Sequence, residues 1–216
     1  MSKFFTLLEK VKNKYKFPAS NIWNIDETGV TVNPKSHLKV VARTGQKQVG
    51  AKTSAERGEI VSAEVCYSAS EQFMPLMLIF PRVKVNENLL EGKPEGSWAV
   101  FERSGWMETH IFTRWFKEFI KFSNASLENP VLLILDGHIS HKYNLEVCKL
   151  GKENGVIILQ FPPHCTHKMQ PADVSIIKPL SNFHTDEVTK FQRNSCVVQM
   201  KDIFPCLAKL GKKLPK

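Results

Sequence analysis

Paired cysteine motifs are missing from this chain. Its cysteines (Cys66, Cys148, Cys165, Cys196 and Cys206) are odd in number, widely spread, and nowhere spaced as Cys-x-x-Cys. That excludes a disulfide framework and a zinc ribbon, and it fits a reducing compartment. Long apolar runs are missing too. No stretch approaches the roughly 20 residues of a membrane helix. The amino-terminal run, with Lys3, Glu9 and Lys10 set among its apolar residues, is too broken by charge for a signal peptide. A soluble intracellular protein without a membrane partner is expected. Internal repeats and low-complexity segments are absent. Acid is scarce relative to base: 21 Asp and Glu stand against 30 Lys and Arg, a formal net charge of +9. Such an excess argues for an anionic partner, nucleic acid first and an acidic membrane surface second.

What remains is ordinary globular composition, 42% hydrophobic and 24% charged. At 216 residues the chain suffices for one domain with a tail. Its most informative stretch is Val131-Leu-Leu-Ile-Leu-Asp-Gly-His-Ile-Ser-His141. An apolar run this short, set between Pro130 and Gly137, reads as a strand buried on both faces, delivering Asp136 at its carboxyl end. In open α/β sheets, ligands collect at that end.

Upstream, Phe4, Leu7, Leu8, Val11 and Tyr15 repeat at helical spacing, with Lys3, Lys10, Lys12, Lys14 and Lys16 on the other side. Ser2 can cap this helix, which must end before Pro18. Asn21 to Gly29 reads as a short strand delivering Asp26. Residues 37–49 suggest a strand and a basic loop. Strands are expected over Glu59–Tyr67 and Phe73–Phe80, with Pro75 at a strand start or edge. Trp98–Phe101 makes another short strand. Thr109 is placed to cap a helix whose apolar face is Phe112, Trp115, Phe116, Phe119 and Ile120. A helix over 142–154, a strand over Val156–Phe161, a proline-rich loop, a helix opened by Asp173 and kinked or restarted by Pro179, and a last helix near 199–210 complete the chain. Strands followed by alternating helix and strand make a mixed α/β domain.

Asp26, Asp136 and Asp173 thus share one kind of setting, and adjacent strand ends with a helix start folded over them can bring them together. Carboxylates so arranged can hold two divalent cations about 4 Å apart, and hard oxygen ligands select magnesium or manganese. Each aspartate alone also has a structural explanation, as a turn former or a helix cap. Glu27 is excluded because alternation turns its side chain to the opposite face. A rival zinc set exists in His138, His141, His164, Cys165 and His167. Its His-x-x-His pair lies at a strand-to-helix turn, and spacing of that kind is common by chance. Shaping the site or touching phosphate is the expected role.

Ile25-Asp-Glu-Thr-Gly29, Leu133-Ile-Leu-Asp-Gly-His-Ile-Ser-His141 and Phe161-Pro-Pro-His-Cys-Thr-His-Lys-Met-Gln-Pro-Ala-Asp-Val174 resemble the DDE superfamily endonuclease domain. The likeness is strongest to pogo, Tigger and jerky-like transposases and their domesticated relatives. Arg57-Gly58, Ile79-Phe-Pro81 and Ser104-Gly-Trp-Met107 agree with it in order. The resemblance implies a ribonuclease-H-like mixed sheet flanked by helices. Its catalytic, metal-binding carboxylates map onto Asp26, Asp136 and Asp173. It further implies magnesium or manganese as cofactor, DNA as partner, strand cleavage followed by strand transfer, and a nuclear location. It allows a homo-oligomer and calls for no small-molecule cofactor.

On this reading residues 1–20 are a lead-in helix, 21–192 the catalytic domain, and 193–216 a helical basic tail. The family's helix-turn-helix, centromere-protein-B-like region has no counterpart in these residues, so recognition of transposon ends is not expected of them. Met169, Ala172, Ile177 and Ser181 depart from the family's usual residues, and Ala172 and Ile177 reduce packing volume beside Asp173. Two functions follow: a metal-dependent DNA endonuclease of transposase type, or a domesticated, catalytically silent nuclear DNA-binding protein.

Overall fold

The computed structural model describes residues 2–32, 60–138, 143–163, 165, 169–195 and 198–208. The strand and basic loop expected at 37–49, Arg57-Gly58, and the final basic residues lie outside the described residues.

Strands β1 (Ile22–Thr31), β2 (Ile60–Ser68), β3 (Met77–Phe80), β4 (Trp98–Phe101), β5 (Val131–Leu135) and β6 (Val156–Gln160) form one sheet in the order β4-β3-β2-β1-β5-β6. The β1–β2 and β2–β3 pairs are antiparallel, and β3–β4, β1–β5 and β5–β6 are parallel. This is a mixed sheet with β2 and β1 at its centre and β5 beside β1, one strand in from the β6 edge. Helices are α1 (Ser2–Tyr15), α2 (Thr109–Ser123), α3 (Leu145–Glu153), α4 (Lys178–Ser195) and α5 (Ile203–Ala208), with a π-helical turn, Ala172–Ile177, leading into α4.

Alternation along each strand divides the core into two faces. Trp23 and Ile25 of β1, with Val131, Leu133 and Leu135 of β5, pack against Ile111, Phe112, Trp115, Phe116 and Phe119 of α2. Trp23 meets the Phe119 ring edge-on at 5.7 Å, a favoured aromatic geometry. On the other face, Leu132, Leu159 and Phe161 bury Phe4, with Leu8 and Val11 of α1 packed against them. Val61, Ala63, Val65, Leu78 and Phe80 bury Leu180 and Val188 of α4 and Phe204 of α5. Strand β5 is therefore covered on both sides, as its unbroken apolar run requires.

Boundaries move where local chemistry intervenes. Strand β3 starts at Met77 rather than Phe73, because Pro75 has no N–H to give a ladder. Phe73 keeps one isolated pairing with Tyr67. Helix α2 includes Thr109 instead of being capped by it; Glu108, in extended backbone, holds the capping position without a side-chain bond. Helix α3 starts at Leu145 because the Asn144 side chain accepts from Val147 N at 3.1 Å. Pro179, lacking an N–H, sits at the junction where the wide turn gives way to α4.

Candidate active site

The parallel register of β1 and β5 sets Asn24 against Ile134. Two residues further along the chain come Asp26, still in β1, and Asp136, the residue after β5; continuing the two-residue alternation puts both on one face. Asp26 is half-buried, and its Oδ1 accepts the Glu27 amide at 3.0 Å. Asp136 follows the last residue of β5, and its Oδ1 accepts the His138 amide at 3.1 Å, the turn-forming bond that Asp-Gly favours.

Asp173 is the second residue of the π-helical turn, and its side chain is exposed. The turn is held by two buried amides. Asn24 Nδ2 donates to Ile134 O at 3.0 Å and to Gln170 Oε1 at 2.7 Å. Asn24 Oδ1 accepts Ala172 N at 3.1 Å, and Gln170 Nε2 donates to Ile25 O at 3.0 Å. Ala172, next to Asp173, is completely buried. The segment carrying the third aspartate is thereby stapled to β1, and Asn24 links β1 in turn to Ile134 of β5. Sequence reasoning missed Asn24 and Gln170, whose only local signal was their closeness to Asp26 and Asp173.

Electrostatics record the convergence. Burial first, and then the Asp173 and Asp136 carboxylates, push Asp26 up to about 7, against the opposing bonds from Gln170 and the Glu27 amide. Behind β1, on the α2 face, Glu27 stands directly opposite Glu64. Glu64 is buried, and burial followed by Glu27, Asp26 and Asp136 holds its carboxyl well above the usual range. Glu64 was not foreseen: an acid in an alternating strand reads as solvent-facing.

The donor set suits a hard divalent cation. It offers carboxylate oxygens alone, and it gathers negative charge that a cation would neutralise. The three carboxylates do not close into one tight cluster. Among the described residues, a group whose ligand atoms all lie within 4.8 Å occurs elsewhere, at Glu102, Glu108 and His110. Glu102 and Glu108 there sit at different nitrogens of one imidazole, at 3.6 and 3.7 Å. Of the rival zinc set, His141, His164 and His167 lie outside the described residues.

The family model for the DDE superfamily endonuclease matches residues 59–196, a span that holds Asp136 and Asp173. The chain belongs to the DDE superfamily endonuclease family. Its fold is that of solved Mos1 transposase complexes. The pre-cleavage Mos1 transpososome superposes with a TM-score of 0.55 at 11% identity, over 97% of this chain and 58% of that one. The Mos1 paired-end complex with the left transposon end gives 0.53 at 12% identity, over 96% and 57%. The Mos1 mariner paired-end complex with Mn gives 0.54 at 12% identity, over 94% and 57%. A curated relative, MFS-type transporter clz9 of Cochliobolus lunatus, is 27% identical over 182 residues, 83% of this chain and 20% of that protein. The chain thus spans a fifth of that relative. No helix among the described residues is long and apolar enough to cross a membrane.

Proposed function

We propose that this chain is the catalytic domain of a DNA endonuclease of transposase type, with Asp26, Asp136 and Asp173 as its catalytic, metal-binding carboxylates. The observation that supports the reading is the parallel β1–β5 register, which ends at Asn24 and Ile134 two residues short of Asp26 and Asp136, with the Asp173 turn stapled to β1 through Asn24 and Gln170. Magnesium or manganese, when bound, supplies charge stabilisation at the phosphodiester and activation of water. The protein's part is to fix the carboxylates. Asp26 does so from β1, Asp136 from the residue after β5, and Asp173 from a turn anchored by buried amides. Water adds to phosphorus and the 3′ oxygen leaves as a hydroxyl; in strand transfer that 3′ oxygen, losing its proton, bonds to a target phosphorus and displaces the target's own 3′ oxygen, which leaves as a hydroxyl. Action on chromosomal DNA would place the protein in the nucleus.

The deciding experiment is nicking of supercoiled plasmid with manganese and with magnesium. Wild-type chain should nick, and Asp136→Ala should not; equal nicking by both would sink the reading. A second reading, a silent DNA-binding descendant, rests on the formal net charge of +9 and needs nothing of the carboxylates. It expects salt-sensitive DNA binding with no metal-dependent turnover.

A further inference from the structure

Positive charge gathers on α1 without compensation. Lys3, Lys10, Lys12, Lys14 and Lys16 are all exposed, and Glu9 is the one acid among residues 2–16. Three lysines elsewhere pair closely with acids: Lys117 with Glu146 at 2.7 Å, Lys121 with Glu118 at 2.8 Å, and Lys190 with Glu187 at 2.6 Å. Among the described residues, no acidic partner meets the lysines of α1; Lys14 instead lies over the Tyr15 ring at 4.8 Å.

The helix is fixed in a useful place. Phe4, Leu8 and Val11 pack with Leu132 and Ile134 on the sheet face that carries Asp26 and Asp136, and Met169, next to Gln170, joins the same cluster. Phe4 meets Phe161, just past the carboxyl end of β6, at 5.2 Å. The first turn of α1 therefore lies at the sheet end where the aspartates stand, and the helix runs back from it. At roughly 100° per residue, Lys3, Lys10 and Lys14 fall in one stripe about 16 Å long, beside the buried seam. Leu7, 49% exposed, lies along the same stripe. Over that length B-DNA presents about five phosphates per strand.

We propose that α1 is a phosphate-tracking surface: Lys3, Lys10 and Lys14 hold the backbone of the DNA that leaves the aspartate site. The choice of DNA as the polyanion rests on the function proposed above. Charge complementarity and the shared face carry the rest.

The test is binding of a fluorescent duplex by the full chain over a range of KCl concentrations. Replacing Lys3, Lys10 and Lys14 together by Gln should lower the slope of log affinity against log salt by about 2.7, which is 0.9 for each phosphate no longer neutralised. The Lys117→Gln, Lys121→Gln double variant, whose lysines already have acidic partners, should leave the slope unchanged. All these positions are exposed, and an unchanged Tm checks that each variant is folded. An unaltered slope in the α1 variant, an equal fall in the α2 control, or no DNA binding at all overturns the inference. Manganese-dependent nicking that Asp136→Ala abolishes, seen with an unaltered slope, overturns this inference while the cleavage reading stands. A lowered slope without nicking does the reverse.

Discussion

Asn24 and Gln170, separated by 146 residues of sequence, share a buried 2.7 Å hydrogen bond beside the parallel β1–β5 pair. Through it the turn bearing Asp173 is tied to β1. Asn24 spends its remaining capacity on backbone, Ile134 O and Ala172 N, while Gln170 gives to Ile25 O and to the Asp26 carboxylate. Such a network is strong when complete and costly when broken.

Asn24→Ala strands the Gln170 carbonyl oxygen and the Ala172 amide without partners. Each buried orphan costs about 1–3 kcal/mol, and in a chain of this size each kcal/mol lowers Tm by roughly 2–4 °C. Nicking should fall further than stability does, because the Asp173 turn loses its anchor. A melt and a plasmid assay on one preparation decide it. Full activity in a folded variant would show that the staple does not position Asp173.

Metal should stabilise the fold through the aspartates. A cation bound at 100 times its dissociation constant adds about 2.7 kcal/mol. Titration with manganese in a thermal melt should therefore raise Tm by several degrees in the wild-type chain. Asp136→Asn, which keeps the size and removes the charge, should respond far less. An equal rise in both would place the cation elsewhere, with the Glu102, Glu108 and His110 group the first place to look.

Much of this architecture was legible in local pattern. The run Val131–Leu135 between a proline and Asp-Gly could only be a strand covered on both faces, and it is. The aromatic stripe of α2 repeated at helical spacing and packs as that spacing demands. Alternation sent Glu27 to the face opposite Asp26. The Asn24–Gln170 staple was not legible, because two amides far apart in sequence carry no periodicity. Glu64 was hidden for a related reason. Whether an acid in an alternating strand meets water or a helix depends on what covers the sheet.

Asp26 gives the site a pH signature. Its carboxyl, ordinarily near 3.8, is pushed up to about 7 by burial and then by the neighbouring carboxylates. Between about pH 4 and pH 7 the folded chain holds a proton that the unfolded chain has released. Stability without metal should thus fall as pH rises through this window. Manganese affinity should rise over the same interval, since the ligand must lose its proton. Asp26→Asn should flatten part of the stability curve and raise Tm at pH 7. A wild-type Tm that climbs steadily from pH 4 to pH 7 would contradict the assignment.

Glu64 extends the argument to the other side of β1. Its Oε2 and the Oε1 of Glu27 are both buried without a hydrogen-bond partner, on residues directly opposite in the antiparallel register. Like charges so placed repel, and burial with that repulsion holds the Glu64 carboxyl well above its ordinary value of 4.5. The folded state thus binds a proton there that the unfolded state gives up above about pH 4.5, so this contribution is also lost as pH rises. Glu64→Gln keeps the shape and cannot ionise. It should therefore match the wild-type chain in acid and melt higher at neutral pH, the gap widening with pH. Glu64→Ala, which adds a cavity in place of the side chain, should melt lower at every pH. The paired melts separate charge from packing, and a Gln variant less stable than wild type at neutral pH would show that the ionised carboxylate stabilises the fold.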